Sequence, residues 1–277
     1  MLSIVNPEAL LRKVKGIIYS GRTRHIIDRI GLDKLLFNPY WRLVHKFSGD
    51  VQSYTINGNR IEFKTETLTE FIRFQNLAGE RAILEDFLKS LKPNDVVYDI
   101  GANVGTYTCF VSSKVGEKQT VAFEPEPQNV KRLHENLKVN NLNAEIIEVA
   151  LSNASGTVDF ALSGDETGEG EHAMATGQDT ETIEVAMESG DSVIEQRELP
   201  TPTVLKIDVE GAEMSVLHGL QEAIQEHVRL IYLEVHPEKL PQFGDTVSEV
   251  EAFLENSGFD IEQLSERGNE IFIRAIK

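Results

Sequence analysis

From residue 95 onward, short apolar segments of strand length alternate with longer segments of helical periodicity. Continuous apolar strands separated by helices predict a parallel sheet that is covered on both faces. The last two strands have no helix between them, so one of them should be antiparallel. We therefore predict the α/β class, with a doubly wound, mostly parallel, seven-stranded Rossmann-like sheet containing one antiparallel strand. The predicted strands are 96–100, 120–124, 144–149, 204–208, 230–235, 259–263 and 270–276, and the helices 104–114, 127–139, 213–226 and 246–257.

The first 65 residues follow a different pattern. Apolar residues at helical spacing predict helices within 7–47, the third running from 32 to 45 with an interruption near Pro39. Asn57-Gly58 between 51–56 and 60–64 predicts a β-hairpin. We expect an N-terminal helical cap with this hairpin over 1–65, and a main domain over 66–277 that begins with helices at 66–75 and 80–90. Within that domain, two extra strands at 156–162 and 181–187 flank an acidic loop at 163–180.

The net charge of −18 limits the range of partners. Such an acidic chain lacks the cationic face that binds phosphates, which argues against nucleic acid. The acid excess is also typical of a halophilic archaeon, whose cytoplasmic salt screens repulsion. A single cysteine, no apolar run long enough to span a bilayer, and no apparent signal peptide favour a cytoplasmic protein.

Residues 1–47 carry a net charge of +6, whereas the remaining 230 residues carry −24. Three interpretations of this basic segment are open. It forms a helical cap with outward-facing bases, gathers an anionic substrate such as a uronic acid or lipid-linked glycan, or rests peripherally on an anionic membrane surface. The oligomeric state is left open as well.

The turn after the first predicted strand has the residues of an adenosine-binding loop. Gly101 and Gly105 permit a tight turn at a helix N-terminus, and Glu124 ends the next strand, where a carboxylate can bind ribose hydroxyls. Asn103 stands where a dinucleotide loop has its second glycine, and Asp99 before the turn would repel a pyrophosphate but suits an ammonium and a sulfonium. We therefore predict S-adenosyl-L-methionine as cofactor, with S-adenosyl-L-homocysteine as product. The predicted cofactor-binding residues are Asp99, Gly101, Ala102, Asn103, Gly105, Glu124, Pro125 and Ala150.

A second group of charged residues follows the strands at 204–208 and 230–235. Because the ends of parallel strands meet at one edge of the sheet, we expect them to converge near the transferred methyl group. His236 is the first candidate for the base that takes a hydroxyl proton, since imidazole titrates near neutrality. Asp208 and Glu210 are rivals, Glu234 completes the catalytic candidates, and Glu213 and His172 are candidate substrate contacts. Asp208 with Glu210 is also compatible with Mg²⁺, but we assign no metal.

These segments together resemble one known family. The strings DIGANVG, FEPEP, LKIDVEGAE and LEVHPE, spread over residues 80–236, are similar to the signatures of FkbM-type methyltransferases. One departure is Gly190-Asp191-Ser192-Val193, which keeps a single acid where the family usually has Leu-Asp-Asp-Leu. The resemblance implies a class I fold and O-methylation of a hydroxyl on a sugar, glycan or related small metabolite. The matches to the family's cofactor positions are Asp99, Gly101, Asn103, Gly105 and Glu124, and the matches to its second signature are Asp208, Glu210, Gly211, Glu213, Glu234 and His236.

Three alternatives remain at this point. The acceptor could be a carboxylate, as in methyl esterification of a hexuronic acid during glycan assembly, and no base would then be needed. A nicotinamide-dependent oxidoreductase is disfavoured by the missing second glycine of the dinucleotide loop. A binding protein without catalytic activity is disfavoured by the dense charges after the fourth and fifth strands, which are costly to keep without a role.

Overall fold

The computed structural model describes residues 32–75, 77–161, 173–174 and 182–277. It begins with helix α1 (Leu32–Ser48), hairpin strands β1 (Val51–Ile56) and β2 (Asn59–Lys64), and helices α2 (Leu68–Arg73) and α3 (Arg81–Ser90). The predicted hairpin is confirmed. Asn57 and Gly58 have φ values of 49° and 87°, the left-handed conformations that a two-residue hairpin turn requires.

The predicted interruption of the third helix near Pro39 is wrong, because α1 continues through Pro39 to Ser48. Proline in a helix costs about 3 kcal/mol, so other interactions must stabilise the turns that follow it. The rings of Trp41 and His45 supply such interactions, since both pack against the Phe71 ring, with His45 stacked at 4.9 Å between centroids.

The predicted fold class is confirmed by a seven-stranded sheet in the order β12-β13-β11-β10-β3-β4-β5. Only β13 among these strands runs antiparallel to its neighbours, β11 and β12, while β11, β10, β3, β4 and β5 pair in parallel. Parallel strands end at one edge, and this edge carries the candidate site. The strands are β3 (Val97–Ile100), β4 (Thr120–Phe123), β5 (Glu145–Ile147), β10 (Val204–Ile207), β11 (Leu230–Val235), β12 (Asp260–Arg267) and β13 (Glu270–Ile276).

A second sheet, in the order β6-β9-β7-β8, corrects the prediction for 144–149. The strand predicted there ends at Ile147, and Ala150 begins a strand of this smaller sheet. The predicted extra strands correspond to its antiparallel pair, β7 and β9. Its members are β6 (Ala150–Ser152), β7 (Gly156–Ala161), β8 (Ala173–Met174) and β9 (Thr182–Ser189).

Helices cover both faces of the main sheet. They are α4 (Thr106–Val115), α5 (Pro127–Val139), α6 (Gly190–Gln196), α7 (Glu213–Gly219), α8 (Gln221–Glu226), α9 (Leu240–Phe243) and α10 (Val247–Asn256). Sequence periodicity predicted one helix over 213–226, but the structure has two. A Cβ on Gly219 would lie 1.8 Å from the carbonyl oxygen of Ser152. The helix therefore ends where its backbone packs directly against β6.

The two larger apolar clusters of the core lie one on each face of the main sheet. Tyr98 belongs to one cluster and its neighbour Val97 to the other, as alternation along a strand requires. Hairpin residues Ile56, Ile61 and Phe63 belong to the Val97 cluster. The hairpin thus packs on the main sheet, and the division into residues 1–65 and 66–277 stays a proposal about how the chain is organised.

Candidate functional site

The loop between β3 and α4 has a backbone that requires glycine. Gly101, Asn103 and Gly105 all have positive φ values, of 75°, 50° and 86°. The amides of Gly101 and Ala102 both donate to the carbonyl oxygen of Phe123, at 3.0 Å each. A Cβ on Gly101 would lie 1.8 Å from the carbonyl oxygen of Asp208, so this loop lies directly against the end of β10.

Beyond this loop, at the carboxyl ends of the strands, lies a cleft with an empty volume of about 580 Å³. Seven residues predicted to act in cofactor binding or catalysis line it. They are Gly101, Asn103, Glu124, Pro125, Ala150, Asp208 and Glu210. Its apolar walls come from residues that the sequence did not single out, Ile100, Phe123, Val149, Leu151, Phe160, Val209 and Ala212.

Glu124 lies at the tip of β4 and is 4% exposed. Its Oε2 accepts the amide of Asn103 at 2.7 Å, and its Oε1 accepts the amide of Glu126 at 3.0 Å. Burial raises the pKa of this carboxyl to about 7, although these hydrogen bonds oppose the shift. Glu124 lines the cleft and holds the glycine loop in place through the Asn103 amide, and its predicted role at the cofactor stays a prediction.

Asp99 lies beneath the loop and is fully buried. Its Oδ2 accepts the hydroxyl of Thr108 at 2.5 Å, and its Oδ1 lies 3.6 Å from Lys206 Nζ. Lys206 in turn donates to the carbonyl oxygen of Gly101 at 3.2 Å. Asp99 is absent from the residues that line the cleft, so the structure connects it to the loop through Lys206.

A second cleft, with an empty volume of about 360 Å³, shares Gly101, Asn103 and Asp208 with the first. Its remaining lining consists of Phe74, Leu77, Glu80, Ala102, Thr106, Tyr107 and Lys206. The two clefts therefore meet at the glycine loop and at Asp208. Ala102 lines only this second cleft, and Gly105 lines neither but packs against Leu133.

At the tips of β10 and β11, carboxylates surround one imidazole. His236 Nδ1 lies 2.7 Å from Glu213 Oε1, and Nε2 lies 3.2 Å from Glu210 Oε2 and 3.9 Å from Asp208 Oδ1. Burial opposes charge on the ring, but the Glu213 hydrogen bond and the nearby carboxylates raise the pKa of His236. The structure therefore brings Asp208, Glu210 and Glu213 around His236, although His236 itself is absent from the lining of both clefts. Their predicted position near the transferred methyl group stays a prediction.

Glu213 belongs to this cluster but lies behind the imidazole, with 0% exposure. Besides His236 it accepts the amide of Gly211 at 2.9 Å. Its other oxygen, Oε2, has no hydrogen-bond partner among the described residues. This position places Glu213 against His236 and outside both clefts.

Glu234 faces a different partner from the other acids. Arg267 donates to Glu234 Oε1 at 3.0 Å and lies 3.5 Å from Glu80 Oε1 and 2.7 Å from Glu270 Oε2. Burial, with the charges of Asp208 and Glu80, raises the pKa of Glu234 to about 10. Arg267 and Lys206 oppose this shift, and Arg267 forms an ion pair with Glu234.

Some predictions concern residues beyond this description. His172 and most of the acidic loop, and residues 1–31 of the basic segment, lie outside the described residues. The peripheral membrane contact of residues 1–47 stays a prediction. Within the described part of the chain, no helix is both long enough and apolar enough to cross a bilayer.

Sequence reasoning missed Lys206 and Glu80 as residues of the site. Lys206 carried one signal, because a lysine inside an otherwise apolar strand needs a buried partner. Glu80 carried none, since it precedes α3, far along the chain from the strand tips that it approaches.

The family model described as "Methyltransferase FkbM domain" matches residues 99–261. The chain belongs to the FkbM methyltransferase family. Its methyl donor is therefore S-adenosyl-L-methionine. Family membership decides against the nicotinamide-dependent oxidoreductase, in agreement with the missing second glycine of the loop.

Two curated relatives illustrate the family. The chain is 33% identical over 181 residues to the hexuronic acid methyltransferase AglP of Haloferax volcanii. The aligned region covers 65% of this chain and 72% of that protein. It is 27% identical over 202 residues to the 31-O-demethyl-FK506 methyltransferase FkbM of Streptomyces tacrolimicus, covering 63% and 75%. Among solved structures, methyltransferase FkbM from Methylobacillus flagellatus aligns with a TM-score of 0.47 at 16% identity, covering 68% of this chain and 45% of that one.

Proposed function

We propose that this methyltransferase transfers the methyl group of S-adenosyl-L-methionine to a hydroxyl oxygen of a sugar, glycan or related small metabolite. One observation carries the proposal. Asp208 lines both clefts and also belongs to the carboxylate cluster around His236. A donor in the first cleft and an acceptor in the second would therefore meet beside groups that can polarise a hydroxyl and remove its proton.

The donor takes the larger cleft in this proposal. Glu124 binds the ribose hydroxyls through the lone pairs that Asn103 and Glu126 leave open. Val149, Ala150 and Leu151 form an apolar wall for the adenine, and the loop at Gly101 approaches the methionine part. Asp99 acts indirectly, by fixing Lys206 and through it the Gly101 carbonyl.

The reaction is an in-line displacement at carbon. The acceptor oxygen forms a bond to the methyl group as the sulfur–methyl bond breaks, and S-adenosyl-L-homocysteine leaves. Holding the two reactants in line can contribute about 7–11 kcal/mol toward the barrier. A hydroxyl must also lose its proton, and Asp208, Glu210 and His236 are the groups that we assign to activating it. Glu213 is a positioning residue, because it is fully buried behind the imidazole and can act only through His236.

The charge of the second cleft favours a hydroxyl over a carboxylate acceptor. Glu80 and Asp208 line this cleft together with one cation, Lys206. Lys206 also lies near Asp99, at 3.6 Å, so its charge is shared among buried carboxylates. An anionic acceptor would be repelled here, whereas a neutral hydroxyl accepts hydrogen-bonding partners of either kind.

Methyl esterification of a hexuronic acid carboxylate is the second candidate. The observation that favours it is the likeness to the hexuronic acid methyltransferase of Haloferax volcanii. That acceptor needs no base, so the cluster around His236 would contribute less to its rate.

One experiment separates the two candidates. Glycans and glycolipids from a strain that lacks the gene are incubated with the purified protein and a donor labelled in its methyl group, and the products are analysed by mass spectrometry. We expect one added methyl group that survives mild alkali, as an ether does. Release of the label by alkali would identify an ester, and absence of label from all sugar-containing fractions would contradict the proposal.

A further inference from the structure

We propose that Asp208, Glu210 and His236 bind a divalent cation of the Mg²⁺ or Mn²⁺ class at the tips of β10 and β11. The ligand atoms that these three residues offer all lie within 4.8 Å of one another. Two ligands about 2.1 Å from an octahedral ion stand about 3 Å apart at right angles and about 4 Å apart when opposed. The separations of 3.2 Å and 3.9 Å from His236 Nε2 fall in that range.

The second observation is the state of the imidazole. His236 is 96% buried on its side chain, and its Nε2 has no hydrogen-bond partner within the described part of the chain. Nδ1, by contrast, is held by Glu213 at 2.7 Å. In the neutral ring, a carboxylate that accepts from Nδ1 leaves the lone pair on Nε2, the arrangement in which a histidine binds a metal ion. That lone pair faces the oxygens of Glu210 and Asp208.

The negative charge of the carboxylates around His236 favours a bound cation. Asp208, Glu210 and Glu213 are all within 4 Å of one imidazole ring. Lys239 offsets part of the charge, since it donates to Glu210 Oε2 at 2.5 Å, and its side chain is 34% exposed. Lys206 lies 3.5 Å from Asp208 and is shared with Asp99. A divalent ion between the three ligands would balance the remaining carboxylate charge.

The backbone presents these ligands at a local cost. Glu210 has a φ of 54°, a left-handed conformation that is unfavourable for a side chain with a Cβ. Gly211 follows at 109°, and a Cβ there would lie 2.8 Å from Lys239 Cβ. The tight turn after β10 thus places Glu210 beside His236, where a looser turn would not.

A competing set, Glu234, His236 and Glu270, also has suitable spacing. Arg267 already contacts both of those glutamates, at 3.0 Å and 2.7 Å. Their charge is therefore offset within the protein, which leaves Asp208 and Glu210 as the better oxygen ligands.

The role of this cation rests on the proposed function, whereas its binding does not. An acceptor hydroxyl bound to the ion would lose its proton to solvent more readily than a free hydroxyl. Its oxygen then takes the methyl group as the sulfur–carbon bond of the donor breaks. In this arrangement His236 is a ligand, and Glu213 orients it.

Binding is tested with Mn²⁺ on the full chain, in high salt to suppress weak attraction to surface acids. Loss of the free Mn²⁺ signal in electron paramagnetic resonance measures the bound ion. We expect one tight site per chain, weakened more than tenfold in Asp208→Asn and about ten- to hundredfold in Glu213→Gln, which removes the charge behind the ligand histidine. Lys239→Met should bind Mn²⁺ more tightly, because the competing ammonium is gone.

Glu251→Gln is the matched control, since Glu251 is an exposed acid on α10 outside the site. Its Mn²⁺ affinity should equal that of the unmodified protein. Circular dichroism and the melting temperature verify that each variant is folded. Equal Mn²⁺ binding by the unmodified protein and by folded Asp208→Asn would overturn the proposed site, and full activity in EDTA would overturn the role assigned to the cation. Methyl transfer in EDTA would support the proposed function without a role for the cation. Mn²⁺ binding without any methyl transfer would support the cation site and contradict the proposed function.

Discussion

His236 Nδ1 lies 2.7 Å from Glu213 Oε1, and Glu213 is completely buried behind it. The pair joins the tip of β11 to the first turn of α7. A buried carboxylate in this position fixes the plane of the imidazole and selects the proton position on its two nitrogens. The orientation of Nε2 toward Asp208 and Glu210 therefore depends on Glu213, and the first two predictions follow from this relationship.

Replacing His236 should affect turnover far more than donor binding. We expect His236→Ala to lower kcat by about a hundredfold or more, because Asp208 and Glu210 lose the imidazole that they face and to which we assign proton removal. The affinity for S-adenosyl-L-methionine, measured by calorimetry, should stay nearly unchanged, since His236 does not line the larger cleft. His227→Ala is the control, because His227 is exposed. Unchanged turnover in His236→Ala would remove this residue from the mechanism.

Glu213 should behave as a positioning residue. Glu213→Gln keeps the size and an accepting oxygen but loses the charge, so kcat should fall by about tenfold while KM for the acceptor stays the same. Glu213→Ala should lower kcat further, because the imidazole then has no partner at Nδ1. A rise in KM at constant kcat would instead indicate direct contact with the substrate, as the sequence suggested.

Donor affinity should depend on pH through Glu124. Burial raises the pKa of this carboxyl to about 7 in the protein without ligand, and its ionised form is the better acceptor for ribose hydroxyls. Donor affinity should therefore increase as the pH rises through about 7 and level off once Glu124 is ionised. Glu124→Gln should bind the donor more weakly at high pH and show no such dependence. Glu148→Gln, at an exposed acid, should retain the profile of the unmodified protein, and a pH profile unaltered by Glu124→Gln would contradict the assignment.

The glycine loop offers a test of stability. In Gly101→Ala the new Cβ would lie 1.8 Å from the Asp208 carbonyl oxygen in a backbone with a φ of 75°. Strain alone costs about 1–3 kcal/mol, and the clash adds to it. We expect a clear drop in melting temperature and loss of donor binding. Gly58→Ala is the control, because its φ is 87° but its Cβ would have open space. Equal melting temperatures in both variants would show that the loop moves to accommodate the side chain.

The pattern of residues along the chain was sufficient to predict the fold. Continuous apolar strands, separated by helices, define a parallel sheet because each strand must be covered on both faces. The order of glycines and acids at strand ends then predicted which residues meet, since parallel strands end at one edge. Gly101, Glu124 and Asp208 accordingly line one cleft. These features depend on periodicity and chain direction, which are local properties of the sequence.

The three-dimensional packing decided which way each acid faces. Asp99 meets Lys206 from a neighbouring strand, Glu234 meets Arg267 from the end of β12, and Glu213 lies behind His236. No spacing along the chain encodes these pairings, because the partners belong to elements that meet only when the sheet forms. Tertiary packing also explains why α1 continues past Pro39 and why α7 ends at Gly219. At both positions, contacts with distant segments outweigh the helical preference of the local sequence. The chain itself therefore determined the fold and the edge at which the site lies, and tertiary contacts determined the role that each charged residue can take there.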